Sequence, residues 1–354
     1  MNQETPRRQA PRPAPLVEVW RGPLVESRHR GHVAAVDGVG RVLAHLGEPD
    51  AVTFMRSSAK PLQALPLLTS GAADRFGFDE REVALACASH SGQDLHAEAV
   101  AGMLRKIGLD ESALKCGVHE PFDQETARLL HERGESPSAL RNNCSGKHTG
   151  MLALALHLGA PPESYDHPEG PVQQAILRAV AQFSGLPAAS VAVGIDGCGV
   201  PVFGMSVRLM ALTYARLVAP PAEFDEATRR AAARIVAAMA AHPEMIGGTV
   251  ERFDTKVMRA AGGRVISKVG AEGVYTAGVL PGEGWPGGLG LAFKIEDGED
   301  RRARPTVAIE CLRQLDVLNG DALEALSPYA IFPVRNHRGE LVGEIRPLFE
   351  LERG

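Results

Sequence analysis

The chain has 354 residues, a formal net charge of −5, 23% charged and 44% hydrophobic side chains, and only 5% aromatics. This balance excludes a nucleic-acid binder, which needs a basic face, and leaves few rings for base- or sugar-stacking platforms. Five scattered cysteines (Cys87, Cys116, Cys144, Cys198 and Cys311) make no disulfide framework and suggest a reducing, cytoplasmic setting. No run of about 18 apolar residues occurs and the first residues lack the apolar core of a signal peptide, so a soluble protein is expected.

Residues 1–15 are rich in Pro and Arg and are expected to be a disordered tail, with residues 16–354 forming a single domain. Strand-like alternation covers 16–20. Segments 32–36 and 41–46 flank Asp37-Gly38-Val39-Gly40, which signals a hairpin. Arg56-Ser57-Ser58-Ala59-Lys60-Pro61 then opens an apolar stretch; with serine a favoured cap and proline tolerated in a first turn, Ser57 or Ser58 is predicted at a helix N-terminus. Helical periodicity follows over 96–106, 123–132, 146–157, 172–183 and 224–241. It is interrupted by one short apolar run, 191–195, that reads as a strand delivering the tight, glycine-flanked loop Asp196-Gly197-Cys198-Gly199. Strands return at 264–269, 273–279 and 289–295, then a helix over 304–318 and two strands, 330–334 and 341–346. Strands at both ends around a helical middle predict an α/β (α+β) fold, with one mainly antiparallel sheet built from both termini and covered by helices.

Arg141-Asn142-Asn143-Cys144-Ser145-Gly146-Lys147-His148-Thr149-Gly150 is the densest polar stretch, and it sits directly before an apolar helix. It fails as a phosphate loop, because Arg141 stands where the first glycine is needed and His148 where Ser or Thr is needed. Ser57 and Lys60 fall three residues apart, on one helical face. A desolvated lysine there loses its proton more readily and can take one from serine. Alone, that spacing more often means a capping serine and a surface lysine. In Ser89-His90-Ser91-Gly92, the turn reading outweighs a Ser/His pair, since neighbours on a strand face opposite ways. Ser267-Lys268-Val269-Gly270 ends a strand as Lys-x-Gly, the arrangement that Ser-x-x-Lys hydrolases of the penicillin-binding class pair with their helix motif. Two thiols with a nitrogen ligand, Cys144, Cys198 and Lys147, are a possible zinc set, although buried inert cysteine is the commoner fate.

Taken in order, Arg56–Pro61, Ser89–Gly92, Asn143–His148, Gly194-Ile195-Asp196-Gly197-Cys198-Gly199-Val200-Pro201 and Lys268-Val269-Gly270-Ala271-Glu272-Gly273 are more specific than any one stretch. From about Leu16 to its end, the chain resembles the rhizobial-type L-asparaginases. That resemblance implies a fold similar to serine β-lactamases and penicillin-binding proteins, a homodimer, and hydrolysis of L-asparagine to L-aspartate and ammonia. It implies two serine–lysine pairs, Ser57 with Lys60 and Ser89 with Lys268, and zinc held by Cys144, Lys147 and Cys198. Arg56, His148 and Asp196 fall at or beside positions implied to bind substrate. The alternatives are another serine–lysine amidohydrolase, a β-lactamase-like esterase, and a zinc-stabilised binding protein without activity.

Overall fold

The computed structural model describes residues 12–354. Most of the expected tail therefore lies outside the described residues, and the first strand begins at Ala14. Twelve strands are described: β1 (Ala14–Arg21), β2 (Leu24–Val36), β3 (Val42–Leu46), β4 (Val52–Phe54), β5 (Ala192–Ile195), β6 (Pro201–Ser206), β7 (Val265–Val269), β8 (Val274–Val279), β9 (Leu289–Ile295), β10 (Phe332–Arg335), β11 (Leu341–Pro347) and β12 (Glu352–Arg353). Nine form one sheet, ordered β10-β11-β1-β2-β9-β8-β7, with β3 on β2 and β12 on β3; every described pairing is antiparallel. The sheet assembled from both ends of the chain is thus present as the pattern predicts.

β2 is the pivot. Its first half pairs β1 and its second half pairs β3, while β9 takes the other edge from Gly31 to Val36. Side chains alternate across it: Val33 and Ala35 enter one apolar cluster, Ala34 and Val36 the other. The first cluster packs under helices Phe253–Ala260, Arg304–Gln314 and Gly320–Ala330; the second joins the sheet to the larger helical layer. A helix–sheet–helix sandwich results, and the site described below lies on the larger helical side.

Two elements were hidden from periodicity. β4, β6 and β5 make a separate three-stranded sheet, in which β5 is the apolar run at 191–195 and β6 is the strand that periodicity hides. β6 is buried along its whole length, so it shows no alternation, and it begins at Pro201, a residue that argues against a strand interior. The first half of β2, with Glu26, Arg28 and Arg30 on its exposed face, reads as loop for the opposite reason.

The sheet and helix Val207–Val218 approach closely at Gly290. A β-carbon there would lie 1.8 Å from the Ala211 carbonyl oxygen. Because both partners are backbone, no rotamer relieves the clash. Gly290→Ala is expected to destabilise the fold by about 3 kcal/mol or more, read as a lowered denaturant midpoint; an unchanged midpoint would contradict this packing.

Candidate active site

Where β4 ends, Met55 donates its N–H to Phe203 of β6, and the chain turns sharply into a 3-10 turn (Arg56–Ala59) that runs on as helix Lys60–Thr69. Arg56 takes a left-handed backbone (φ +53°), a conformation uncommon for a residue with a β-carbon. Its guanidinium is gripped by Asp196, Nε and Nη2 each 2.9 Å from Oδ1, and Glu272 stands 3.9 Å away. Strain of this kind, fixed by a side-chain clamp, is characteristic of functional sites. Proline enters the helix in its first turn as expected, but neither serine caps it. The Ser58 hydroxyl instead donates back to the Met55 carbonyl at 2.8 Å. This corrects the capping expectation: the tight 3-10 turn folds the serine onto its own entry strand.

Ser57 is half buried, and its hydroxyl has no hydrogen-bond partner among the described residues. Three residues on, Lys60 is fully buried. Its ammonium donates to the Ala88 carbonyl (2.6 Å), Ser89 Oγ (2.8 Å) and the Asn143 carbonyl (3.3 Å). Burial pushes the lysine below its ordinary pKa; Cys144 opposes the shift, Lys147 adds to it and Cys198 opposes it. The serine that Lys60 reaches directly is therefore Ser89, so the amine links the two motifs that the resemblance assigned to separate pairs.

Ser89 itself is held by the backbone: its N–H donates to Ile246, and its carbonyl accepts from Arg252 Nη2 at 2.6 Å.

Helix Ser145–His157 carries the polar stretch against helix Glu80–Ala86, and Gly146 allows the contact, since a β-carbon there would sit 2.4 Å from the Leu85 carbonyl oxygen. Cys144, Lys147 and Cys198 converge. Lys147 Nζ lies 3.0 Å from Cys198 Sγ, and Cys144 Sγ lies 3.6 Å from Asn143 Oδ1. The neighbouring Cys198 thiol, with the charges of Lys60 and Lys147, holds Cys144 well below the usual thiol range against the opposing effect of burial. Cys198, beside Cys144 and itself buried, is raised. Among the described residues no group of three His, Cys, Asp or Glu side chains is placed to hold a metal, so any third protein ligand here would be Lys147.

His148 is buried, and burial holds it well below its ordinary pKa, so its ring is neutral. Its Nδ1 lies 2.7 Å from the Tyr165 hydroxyl, whose oxygen also accepts from the Lys115 N–H. His148 Nε2 is buried and has no partner among the described residues. His90 is occupied differently: Nδ1 accepts from the Gly92 N–H, and Nε2 donates to Ser145 Oγ at 3.0 Å. With its one acceptor nitrogen committed to backbone, His90 has no lone pair free to act as a base, as the turn reading required.

Lys268, on edge strand β7, is fully buried and faces Asp254 across a 3.5 Å ion pair. Nothing in the sequence singles out Asp254 or Arg252, and Asn143 stands out only as the first residue of the Asn143–His148 stretch. Asp254 sits in the first turn of an amphipathic helix, where an acidic residue is favoured by the helix dipole and usually solvated. The only available signal was its position near the Lys-x-Gly strand.

A family model for L-asparaginase II matches residues 17–347. That match covers nearly the whole chain and makes it an amidohydrolase; the chain belongs to the L-asparaginase II family. No curated protein matches the chain. Among solved structures, it is similar to a probable glutaminase from Bacillus subtilis bound to 6-diazo-5-oxo-L-norleucine, with 13% identity, 82% of this chain and 86% of that chain covered, and a TM-score of 0.40. A Bacillus glutaminase solved in 4.3 M NaCl gives 14% identity, 82% and 92% coverage, and a TM-score of 0.38. Likeness at that level carries no argument about activity. No helix among the described residues is long and apolar enough to cross a membrane.

Proposed function

We propose that the protein is an L-asparaginase that hydrolyses L-asparagine to L-aspartate and ammonia through an acyl-enzyme on Ser57. The observation that carries this reading is the buried Lys60 amine, bonded to Ser89 and three residues after a half-exposed, unpartnered Ser57 hydroxyl. Lys60 takes the Ser57 proton as the oxygen attacks the side-chain amide carbon. The Ser57 N–H, in the turn into helix Lys60–Thr69, stabilises the oxyanion, an effect of about 3 kcal/mol per donor. The proton then passes through Ser89, with Lys268, to the departing ammonia, and water hydrolyses the ester. Arg56, held by Asp196, suits the substrate carboxylate, and the unpartnered His148 Nε2 suits a polar group of the substrate.

Ammonia release from L-asparagine and L-glutamine tests the reading. A clear preference for asparagine is expected, equal rates would reduce the assignment to a general amidohydrolase, and turnover of p-nitrophenyl esters without ammonia release would point to an esterase. The expected homodimer would be seen as twice the chain mass in light scattering.

Two thiols and an amine converging in a buried pocket fit zinc, which favours sulfur and nitrogen donors. Bound there, zinc would supply positive charge and a fixed anchor between the loops that carry Cys144 and Cys198. Lys147 would have to bind as the neutral amine, whereas the two cysteines beside it raise its pKa despite burial, so the metal must displace its proton. Elemental analysis is expected to give a zinc-to-chain ratio near unity in the wild type and a large loss in Cys198→Ser. Wild-type protein that is fully active and zinc-free would remove the metal from this reading.

A further inference from the structure

β7 is the edge of its sheet, and an edge strand leaves backbone donors unpaired. One of these, the Val269 N–H, is satisfied by Asp254, at 3.0 Å from Oδ1 and 3.1 Å from Oδ2. Oδ1 also accepts from the Ser267 hydroxyl at 2.8 Å, and Oδ2 pairs with Lys268 Nζ at 3.5 Å. Successive residues on a strand face opposite sides, so Ser267 and Lys268 diverge. A carboxylate placed off the strand edge can hold both, and Asp254 grips three consecutive residues of β7. Both Asp254 and Lys268 are enclosed by protein, 2% and 0% exposed.

The surroundings of the Lys268 amine are otherwise cationic or neutral. Lys60 approaches from its helix, Arg252 from the residue preceding helix Phe253–Ala260, and the Cys87 thiol from the end of helix Glu80–Ala86. Arg252 is committed to the Ser89 carbonyl, and the Lys268 ammonium also donates to the Val269 carbonyl at 2.9 Å. Asp254 is thus the carboxylate that balances this cluster.

We propose that Asp254 is a positioning residue of the proposed reaction: it fixes the Lys268 amine in the site and, by its charge, sets the pH at which that amine can carry a proton. The inference rests on the reading of Lys268 as a proton carrier. Burial drives the Lys268 ammonium to give up its proton, Asp254 opposes this, and Lys60 and Arg252 add to it, leaving the group at about 7. An amine poised there both accepts and donates protons near neutral pH. Without the carboxylate charge, the ammonium loses its favourable partner. The amine then stays neutral to lower pH.

The test is the pH profile of kcat/KM for ammonia release from L-asparagine by the wild type, Lys268→Met and Asp254→Asn. The wild type is expected to lose activity as pH falls through about 7. Asp254→Asn is expected to move that acid limb down by one pH unit or more, a tenfold or greater change in proton affinity, and to lower kcat more than it alters KM. A purely structural Asp254 would reduce active protein without moving the limb, so a folded variant with an unmoved limb overturns the proposal. An inactive wild type, or Lys268→Met with undiminished kcat, sinks the underlying reading instead. If the single variant does not fold, melting temperatures of Lys268→Met and Asp254→Asn/Lys268→Met decide. A double variant that melts above Lys268→Met supports the pairing, because it removes an orphaned buried carboxylate; one that melts no higher overturns it.

Discussion

Replacing Ser57 by alanine is expected to reduce ammonia release from L-asparagine by a factor of about 10⁴ or more, the scale seen when a nucleophile is removed from a hydrolase. Stability is expected to stay close to that of the wild type. The lost hydroxyl is half exposed and bonded to nothing described, so its removal leaves neither a cavity of consequence nor an orphaned partner. The measurement pairs single-turnover kinetics with intact-mass and peptide mapping on a slow substrate. An acyl adduct found on Ser89 would reverse the assignment. Ser89 is the less suited of the two by geometry, being buried, already bound to Lys60 and held at both backbone groups.

Lys60→Met is expected to lower kcat by about 10³-fold, within the range for loss of a general base. Lys60→Arg is expected to do no better, and that comparison is the informative one. Arginine preserves the positive charge opposite Ala88, Ser89 and Asn143 but does not release a proton at any working pH. If Lys60 served only to neutralise its surroundings, the arginine variant would retain most of the activity; circular dichroism and melting temperature establish whether each variant folds. The methionine variant removes a donor to three acceptors in a closed space, so some destabilisation accompanies the kinetic loss.

The motifs were legible because chemistry fixes their residue types and local geometry fixes their spacing. A serine and a lysine three apart, a lysine followed by glycine at a strand end and a cysteine in a glycine-flanked loop all lie within short segments. How those segments meet was not legible. The Lys60–Ser89 bond joins residues 29 apart and depends on how helix Lys60–Thr69 packs against the loop after Cys87. Asp254 illustrates the same limit. Its role comes from standing off the open edge of β7, and no local pattern separates it from an ordinary first-turn acid. The fold divides similarly: the strands of the large sheet that alternate were readable, whereas β6, buried throughout, and the charged half of β2 were not.

The long pairing between β1 and β11 has a consequence for synthesis. Val17 lies opposite Pro347 and Arg21 opposite Gly343, and β3 pairs in turn with β12. A nascent chain emerging N-terminus first must therefore hold β1 and the outer edge of β3 open until their partners leave the ribosome. At about 5–20 residues per second, the interval between β1 and β11 is on the order of tens of seconds. The helical middle has sequence-local contacts and can collapse meanwhile. The exposed β1 edge is then the surface on which chaperones would act, and C-terminal truncation before β11 is expected to yield aggregated rather than merely inactive protein.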